Sequence, residues 1–201
     1  MRSVTFGITG ASGMPIALNL LKHLLLKHIK IHLVITTAGI ITLNQELKIK
    51  LSANPDVCRE VILDYLHIDN KQSELVVYTN NDWFAPIASG SSVSDSMVIC
   101  PCSMATLGKL SGGIGDDLLT RAADVILKER KNLVLVPRET PLSAIHLENM
   151  VKLSRLGVSI LPPVPAFYNH PESVQDIIDF IVSRILDQLG VSNQLTSRWP
   201  Y

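Results

Sequence analysis

Short apolar runs alternate with amphipathic segments along this chain, and that alternation restricts the fold more than any other feature. VTFGIT (4–9), IHLVIT (31–36), SMVICP (96–101), LVLVP (133–137) and VSILPP (158–163) have the length and β-branched content of buried strands. PIALNLLKHLLLKH (15–28), residues 38–52, a stretch from Ser103, LTRAADVILKER (119–130), SAIHLENMVKLSRLG (143–157) and VQDIIDFIVSRILDQLG (174–190) carry helical spacing. The last two stop at a glycine, the residue that most readily closes a helix. Strands that alternate with helices form βαβ units, which place helices on both faces of a parallel sheet. The expectation is an α/β fold: one doubly wound, Rossmann-like parallel sheet flanked by helices, in a single domain over 1–201. The stretch 54–95 is the least regular, with helical spacing only at 56–67.

Composition narrows the function. Lys and Arg total 18, as do Asp and Glu, so the chain is formally neutral, and 47% of its residues are hydrophobic. A neutral chain lacks the basic footprint that attracts nucleic acid or an anionic membrane, and no nucleic-acid partner is expected. The apolar run at 16–29 is broken by Lys22, His23, Lys27 and His28, which fits an amphipathic helix and no membrane span. A strand begins within a few residues of Met1, leaving no room for a signal peptide, so a cytoplasmic protein is expected. Cys58, Cys100 and Cys102 show neither zinc-site spacing nor the makings of a disulfide framework, so buried thiols and no metal are expected.

In an open α/β sheet, ligands sit beyond the carboxyl ends of the strands, so the residues following each strand matter most. The first strand ends in GITGASG, Gly7 to Gly13, where glycines let the backbone approach a phosphate and the next helix offers its N-terminus. The spacing is GxxGxxG, which differs from the dinucleotide GxGxxG, and Ser12 is not in a GxSxG elbow. The second strand ends at Thr36 and Thr37, where a dinucleotide enzyme usually carries an acid for the adenosine ribose. Hydroxyls there favour a mononucleotide such as FMN over NAD. The strand ending at Pro101 is followed by Ser103 and Thr106 at a helix start, and LVLVPRET places Arg138 and Glu139 directly after another strand.

GITGASG, NDWFAPIASGS, VICPCSMATLGKL, RAADVILKERKNLVLVPRETPLSAIHLENM and LPPVPAFYNHP together closely resemble the flavin prenyltransferase (UbiX) family, formerly described as 3-octaprenyl-4-hydroxybenzoate carboxy-lyases. The resemblance covers almost the whole chain. It implies a flavoprotein that joins a dimethylallyl group from dimethylallyl phosphate to N5 and C6 of reduced FMN. The product, prenyl-FMN, would serve a UbiD-type decarboxylase, with ubiquinone biosynthesis as the implied pathway. Family members form dodecamers with the active site at a subunit junction.

The resemblance also implies roles. Gly10, Ala11, Ser12 and Thr36 would bind FMN, as would Ser103, Met104, Ala105, Thr106 and Arg138. Arg121, Lys128, Tyr168 and Arg184 would hold the prenyl phosphate, often across a subunit boundary, and Trp83 would line the prenyl pocket. Ser12, Glu46, Lys128 and Glu139 would act in catalysis. These residue types suit the chemistry. A departing phosphate needs cations and donors, an allyl fragment gaining positive charge needs aromatic walls, and the C6 proton needs an acceptor such as Glu139 or the phosphate, with Ser12 as relay.

Taken singly, each residue has an ordinary structural explanation. Lys128 complements a helix C-terminus, Arg184 and Glu46 suit solvated helix faces, Trp83 suits the core, and His146 packs or caps within its helix. Two positions depart from the family pattern: Thr36 replaces a common serine, and Asp117 stands where Asn is usual. A homologous FMN-dependent cysteine decarboxylase is the nearest alternative, although PCSMAT replaces its PASANT-like motif; a non-enzymatic FMN-binding protein is another.

Overall fold

The computed structural model describes residues 2–70 and 73–197. Its six strands are β1 (Ser3–Ile8), β2 (Lys30–Ile35), β3 (Leu75–Tyr78), β4 (Ser96–Cys102), β5 (Asn132–Pro137) and β6 (Ser159–Ile160). All pairings are parallel, in the order β3-β2-β1-β4-β5-β6. The described helices are α1 (Met14–Leu26), α2 (Thr37–Leu47), α3 (Pro55–Leu66), α4 (Met104–Gly112), α5 (Leu118–Lys128), α6 (Ala144–Arg155) and α7 (Val174–Gln188). The doubly wound, Rossmann-like sheet expected from the alternation is present.

The central strands β1, β2, β4 and β5 are mostly apolar because both faces are covered. Val98, Cys100, Val134 and Val136 face a core shared with α1, α3 and α7. Their neighbours Met97, Ile99, Leu133 and Leu135 face a second core shared with α4, α5 and α6. Side chains alternate between faces along a strand, so a run buried on both sides is mostly apolar, and two of the few buried polar side chains in it, Thr5 and His32, are hydrogen-bonded. Packing also explains Gly7, which lies within β1: a Cβ there would sit 2.4 Å from Leu119 Cδ1 of α5. Gly7 thus serves helix–sheet contact and not a phosphate.

Three boundaries differ from expectation. The fifth expected strand, 158–163, is a strand only at Ser159–Ile160: the Leu161 amide still reaches the Leu135 carbonyl at 2.8 Å, and Pro162 and Pro163 then supply no N–H for a ladder. The helix expected over 38–52 ends at Leu47, with Lys48 in the left-handed region at φ 55. The irregular stretch contains the edge strand β3 and two 3-10 turns, Pro86–Ala88 and Gly90–Ser92, which carry the chain back across the sheet to β4. Asn80 anchors this return, its carbonyl and side-chain oxygen accepting the Leu118 and Leu119 amides at 2.8 and 3.1 Å.

Local caps settle the two departures. Thr36 accepts from the Gly39 amide at 3.0 Å and so caps α2 as a serine would. Asp117 forms a capping box with Thr120 at the start of α5, where an acid also suits the helix dipole. All three cysteines are buried and free. Burial pushes the Cys58 thiol up to about 11 and that of Cys102 to about 12, and raises Cys100 as well, which makes them poor nucleophiles. No helix among the described residues is long and apolar enough to cross a membrane.

β2 and β3 also hold a polar pair, of a buried His32 and a half-buried Tyr78. His32 Nδ1 lies 2.9 Å from the Tyr78 hydroxyl, and the rings stack. Burial, and secondarily Lys30, lowers the His32 pKa from its ordinary 6.5. The unfolded chain therefore binds this proton more readily, so stability is full above pH 6.5 and falls as pH drops through the window below it. His23, also lowered by burial, adds in the same direction. The urea midpoint is expected to fall between about pH 7.5 and about pH 5.5, and less so in His32→Gln, which keeps an acceptor for Tyr78. An identical fall in both proteins would remove His32 from this account.

Candidate functional site

Sheet order reverses between β1 and β4, and in such sheets the crevice beyond the strand ends at that reversal is where ligands bind. Four chain segments meet there. The Gly10–Gly13 turn follows β1, Thr36 follows β2, Ser103 follows β4 and Arg138 follows β5. Gly10 packs against α2 so closely that a Cβ would lie 2.5 Å from Ala38 Cβ. Gly13 turns the chain into α1 at φ 119, a left-handed conformation that glycine adopts without strain.

The start of α1 is not an open phosphate cradle. Glu46, on α2, accepts the Gly13 and Met14 amides at 3.1 and 2.9 Å through one carboxylate oxygen. Pro15 has no N–H to give, and the Ile16 amide returns to the Gly13 carbonyl at 3.1 Å. The expectation that this helix end takes a phosphate therefore shifts to the preceding turn. Among the described residues no partner is found for the Gly10, Ala11 and Ser12 amides or for the Ser12 hydroxyl, and Gly10 and Ser12 are exposed.

The opposite wall is the start of α4. Ser103 caps it, accepting from the Thr106 amide at 3.3 Å while its hydroxyl lies 3.0 Å from the Thr106 hydroxyl. The Met104 and Ala105 amides, in the first turn, have no carbonyl four residues behind to bond. Arg138 completes the crevice. Its amide reaches the Cys102 carbonyl at 3.2 Å, and its Nε is buried with no hydrogen-bond partner. A buried guanidinium N–H left unpaired is costly and calls for an acceptor from a ligand. Glu139, next in the chain, is exposed and accepts the Thr140 amide at 3.0 Å.

The remaining implied residues are not gathered here within one protomer. α5 runs antiparallel to the strands, so Lys128, its last residue, lies near the N-terminal edge of the sheet, paired with Glu129. Asn132, the first residue of β5, bonds the Gln188 carbonyl at 2.7 Å, which places the end of α7 at that same edge, and Arg184 is one turn earlier. Arg184 pairs with Asp187 at 2.9 Å, and Arg121 with the Ala88 carbonyl at 3.2 Å and Asp124 at 3.0 Å. A six-residue strand spans about 20 Å, so Lys128 is roughly that far from the crevice. Tyr168 stacks edge-on against Phe180. Trp83 is 49% exposed beside Phe84, which is 99% exposed, so Trp83 is not the core residue that its type alone suggests. His146 closes a capping box with Ser143, a structural role as expected.

Several recesses lie outside the crevice. One of about 330 Å³ opens past β2 and β3, lined in part by Thr37, Tyr78 and Asn81. One of about 580 Å³ sits at the far edge beside Arg130 and Gly157, remote from the unpaired donors. Volume alone would favour the latter; the unsatisfied Arg138 Nε and the open amides favour the crevice.

Comparison with known proteins decides the family. Residues 1–186 match the family model described as Flavoprotein. The flavin prenyltransferase UbiX of Pseudomonas aeruginosa is 45% identical over 98% of this chain and 93% of the relative. That of Halalkalibacterium halodurans is 47% identical over 97% and 92%. This chain belongs to the flavin prenyltransferase family. The crystal structure of AnUbiX (PadA1) in complex with FMN and dimethylallyl pyrophosphate superposes with TM-score 0.85 at 39% identity, covering 100% of this chain and 98% of that one. A dodecameric FMN-dependent UbiX-like decarboxylase from Escherichia coli O157:H7 gives 0.85 at 42%, covering 100% of both chains. The FMN-binding protein AtHal3, at 19% identity and TM-score 0.62, shares the fold. No cluster of three or more metal-ligating side chains occurs among the described residues.

Glu46 is the site residue whose structural part can be isolated. Removing its carboxylate strips two amides of their acceptor, so Glu46→Ala should destabilise the flavin-free protein by about 1 kcal/mol. Thermal denaturation without flavin measures this, and an unchanged midpoint would show that the cap contributes nothing.

Proposed function

We propose that this chain, acting as one flavoprotein domain over 1–201, transfers a dimethylallyl group from dimethylallyl phosphate to reduced FMN and makes prenyl-FMN. The observation that carries this reading is the buried, unpartnered Arg138 Nε in the crevice where strand order reverses. An FMN oxygen supplies the acceptor that it lacks. The open amides of Gly10, Ala11 and Ser12 and the first-turn amides of Met104 and Ala105 suit the same ligand, with Thr36 and Thr106 supporting the walls. When bound, the reduced flavin supplies the nucleophilic N5 and C6 that take the prenyl carbons.

The chain's own residues then serve the leaving group and the proton. The prenyl C–O bond breaks with its electron pair departing on phosphate, so cations and hydrogen-bond donors must meet that phosphate. Arg121, Lys128, Tyr168 and Arg184 provide this set, with Trp83 as an aromatic wall for the allyl fragment. Glu139, beside Arg138 at the strand end, is exposed to take the C6 proton, with Ser12 as relay and Glu46 holding the turn that carries Ser12.

Lys128 lies about 20 Å from the crevice of its own protomer, so a neighbouring copy is the natural source of the phosphate-binding cations. A dodecamer like that of the Escherichia coli relative supplies such neighbours. Exposed apolar residues on and beside α6, namely Leu142, Ile145, Leu147 and Val151, suit burial against other copies. We place the protein in the cytoplasm and assign its product to a UbiD-type decarboxylase, in ubiquinone biosynthesis.

Incubation with reduced FMN and dimethylallyl phosphate without oxygen should yield a flavin heavier by one prenyl group, read by mass spectrometry. Glu139→Gln should retain FMN yet form that product about 100-fold more slowly, within the range ascribed to positioned proton acceptors. Recovery of unmodified FMN alone from the wild-type protein would sink the proposal, and normal turnover in the variant would remove Glu139 from it.

A further inference from the structure

The end of β1 holds a buried polar side chain that none of the roles above uses. Thr9 is 1% exposed. Its hydroxyl donates to the Pro101 carbonyl at 2.7 Å and accepts from the Ser103 amide at 2.8 Å. Its own amide reaches the same carbonyl at 3.3 Å.

These bonds stand where regular strand pairing has stopped. β1 and β4 stay in register from Val4↔Ser96 to Gly7↔Ile99. Beyond Ile99, β4 slips relative to β5 before pairing resumes at Cys102. Pro101 has no N–H, so β4 can accept from the Thr9 amide here but has no amide to give in return. The Thr9 side chain carries the connection onward. One oxygen serves a carbonyl of β4 and also the amide of the residue that caps α4. Since Ser103 in turn accepts from the Thr106 amide, a continuous line of hydrogen bonds joins the end of β1 to the first turn of α4.

We infer that Thr9 is a positioning residue for flavin: its hydroxyl sets the spacing between the Gly10–Ser12 turn, which it immediately precedes, and the Ser103–Thr106 helix start. The inference rests on the reading that this crevice binds FMN. Valine keeps the branching of threonine but offers no donor or acceptor, so the Ser103 amide loses its partner. Serine keeps the hydroxyl and loses only a methyl group.

The test compares full-length wild type, Thr9→Val and Thr9→Ser for FMN affinity, by quenching of flavin fluorescence, and for thermal midpoint without flavin. Thr9→Val should bind FMN about tenfold more weakly, while Thr9→Ser should stay within about twofold of wild type. A merely structural role would lower the midpoint and leave the affinity of the folded protein unchanged. That result, or Thr9→Ser binding as weakly as Thr9→Val, overturns the inference. Should Thr9→Val fail to fold, Thr9→Cys replaces it, since a thiol is a poor donor and acceptor. Weakened affinity then supports the inference, and wild-type affinity overturns it. If the wild-type protein binds no FMN, the functional reading fails and takes this inference with it; equal binding by all variants sinks the inference alone.

Discussion

The parallel pairing of β1 with β4 is the constraint on which the rest of the molecule depends. The chain builds β1, β2 and β3 outward in one direction and then returns to the centre to build β4, β5 and β6 in the other. Two loops consequently leave the middle of the sheet in opposite directions, and a crevice opens between them. Gly7 allows α5 to press against β1, and Gly10 allows the first turn to rest on α2. Thr9 spans the gap where β4 falls out of register. The site is thus a consequence of strand order, trimmed by a few side chains at the strand ends.

The crevice is rich in donors and poor in partners for them. Glu46 satisfies the first amides of α1 and Ser103 that of Thr106, and what is left unpaired is the 10–12 turn, the Met104 and Ala105 amides and Arg138 Nε. That arrangement suits an oxygen-rich planar ligand with a phosphate, which FMN is. It does not by itself suit a departing prenyl phosphate, because Lys128 and Arg184, two of the cations proposed for that task, lie towards the ends of α5 and α7 near the other edge of the sheet. Under the proposed function a protomer holds two incomplete halves of a site, and assembly with a neighbouring copy is what would complete each, so that oligomerisation would serve the chemistry as well as stability.

Much of this was legible in the residues. Strands buried on both faces announce themselves as mostly apolar runs, so β1, β2, β4 and β5 are legible directly. β3 is not, because Leu75–Tyr78 is a four-residue edge strand whose signal is lost among polar neighbours. β6 was overread, since apolar residues continue past the point where prolines end the pairing. The strand-end rule found Ser12, Thr36, Ser103, Arg138 and Glu139 as residues facing one edge. It could not find the Glu46 cap on α1, which depends on how α2 packs, nor the bridging by Thr9, which depends on a slip in β4. Thr9 does leave a trace: a polar residue directly after a mostly apolar strand. Lys128 and Arg184 drew attention only through the family pattern, and the fold explains why, for nothing in one protomer links them to the crevice.

The position of the flavin tests the account most directly. A crystal structure of the protein grown with FMN should show the flavin lodged between the Gly10–Ser12 turn and Ser103–Thr106, with Arg138 Nε donating to one of its oxygens. A flavin seated instead in the cleft past β2 and β3, beside Thr37, Tyr78 and Asn81, with Arg138 Nε still unpaired, would contradict it.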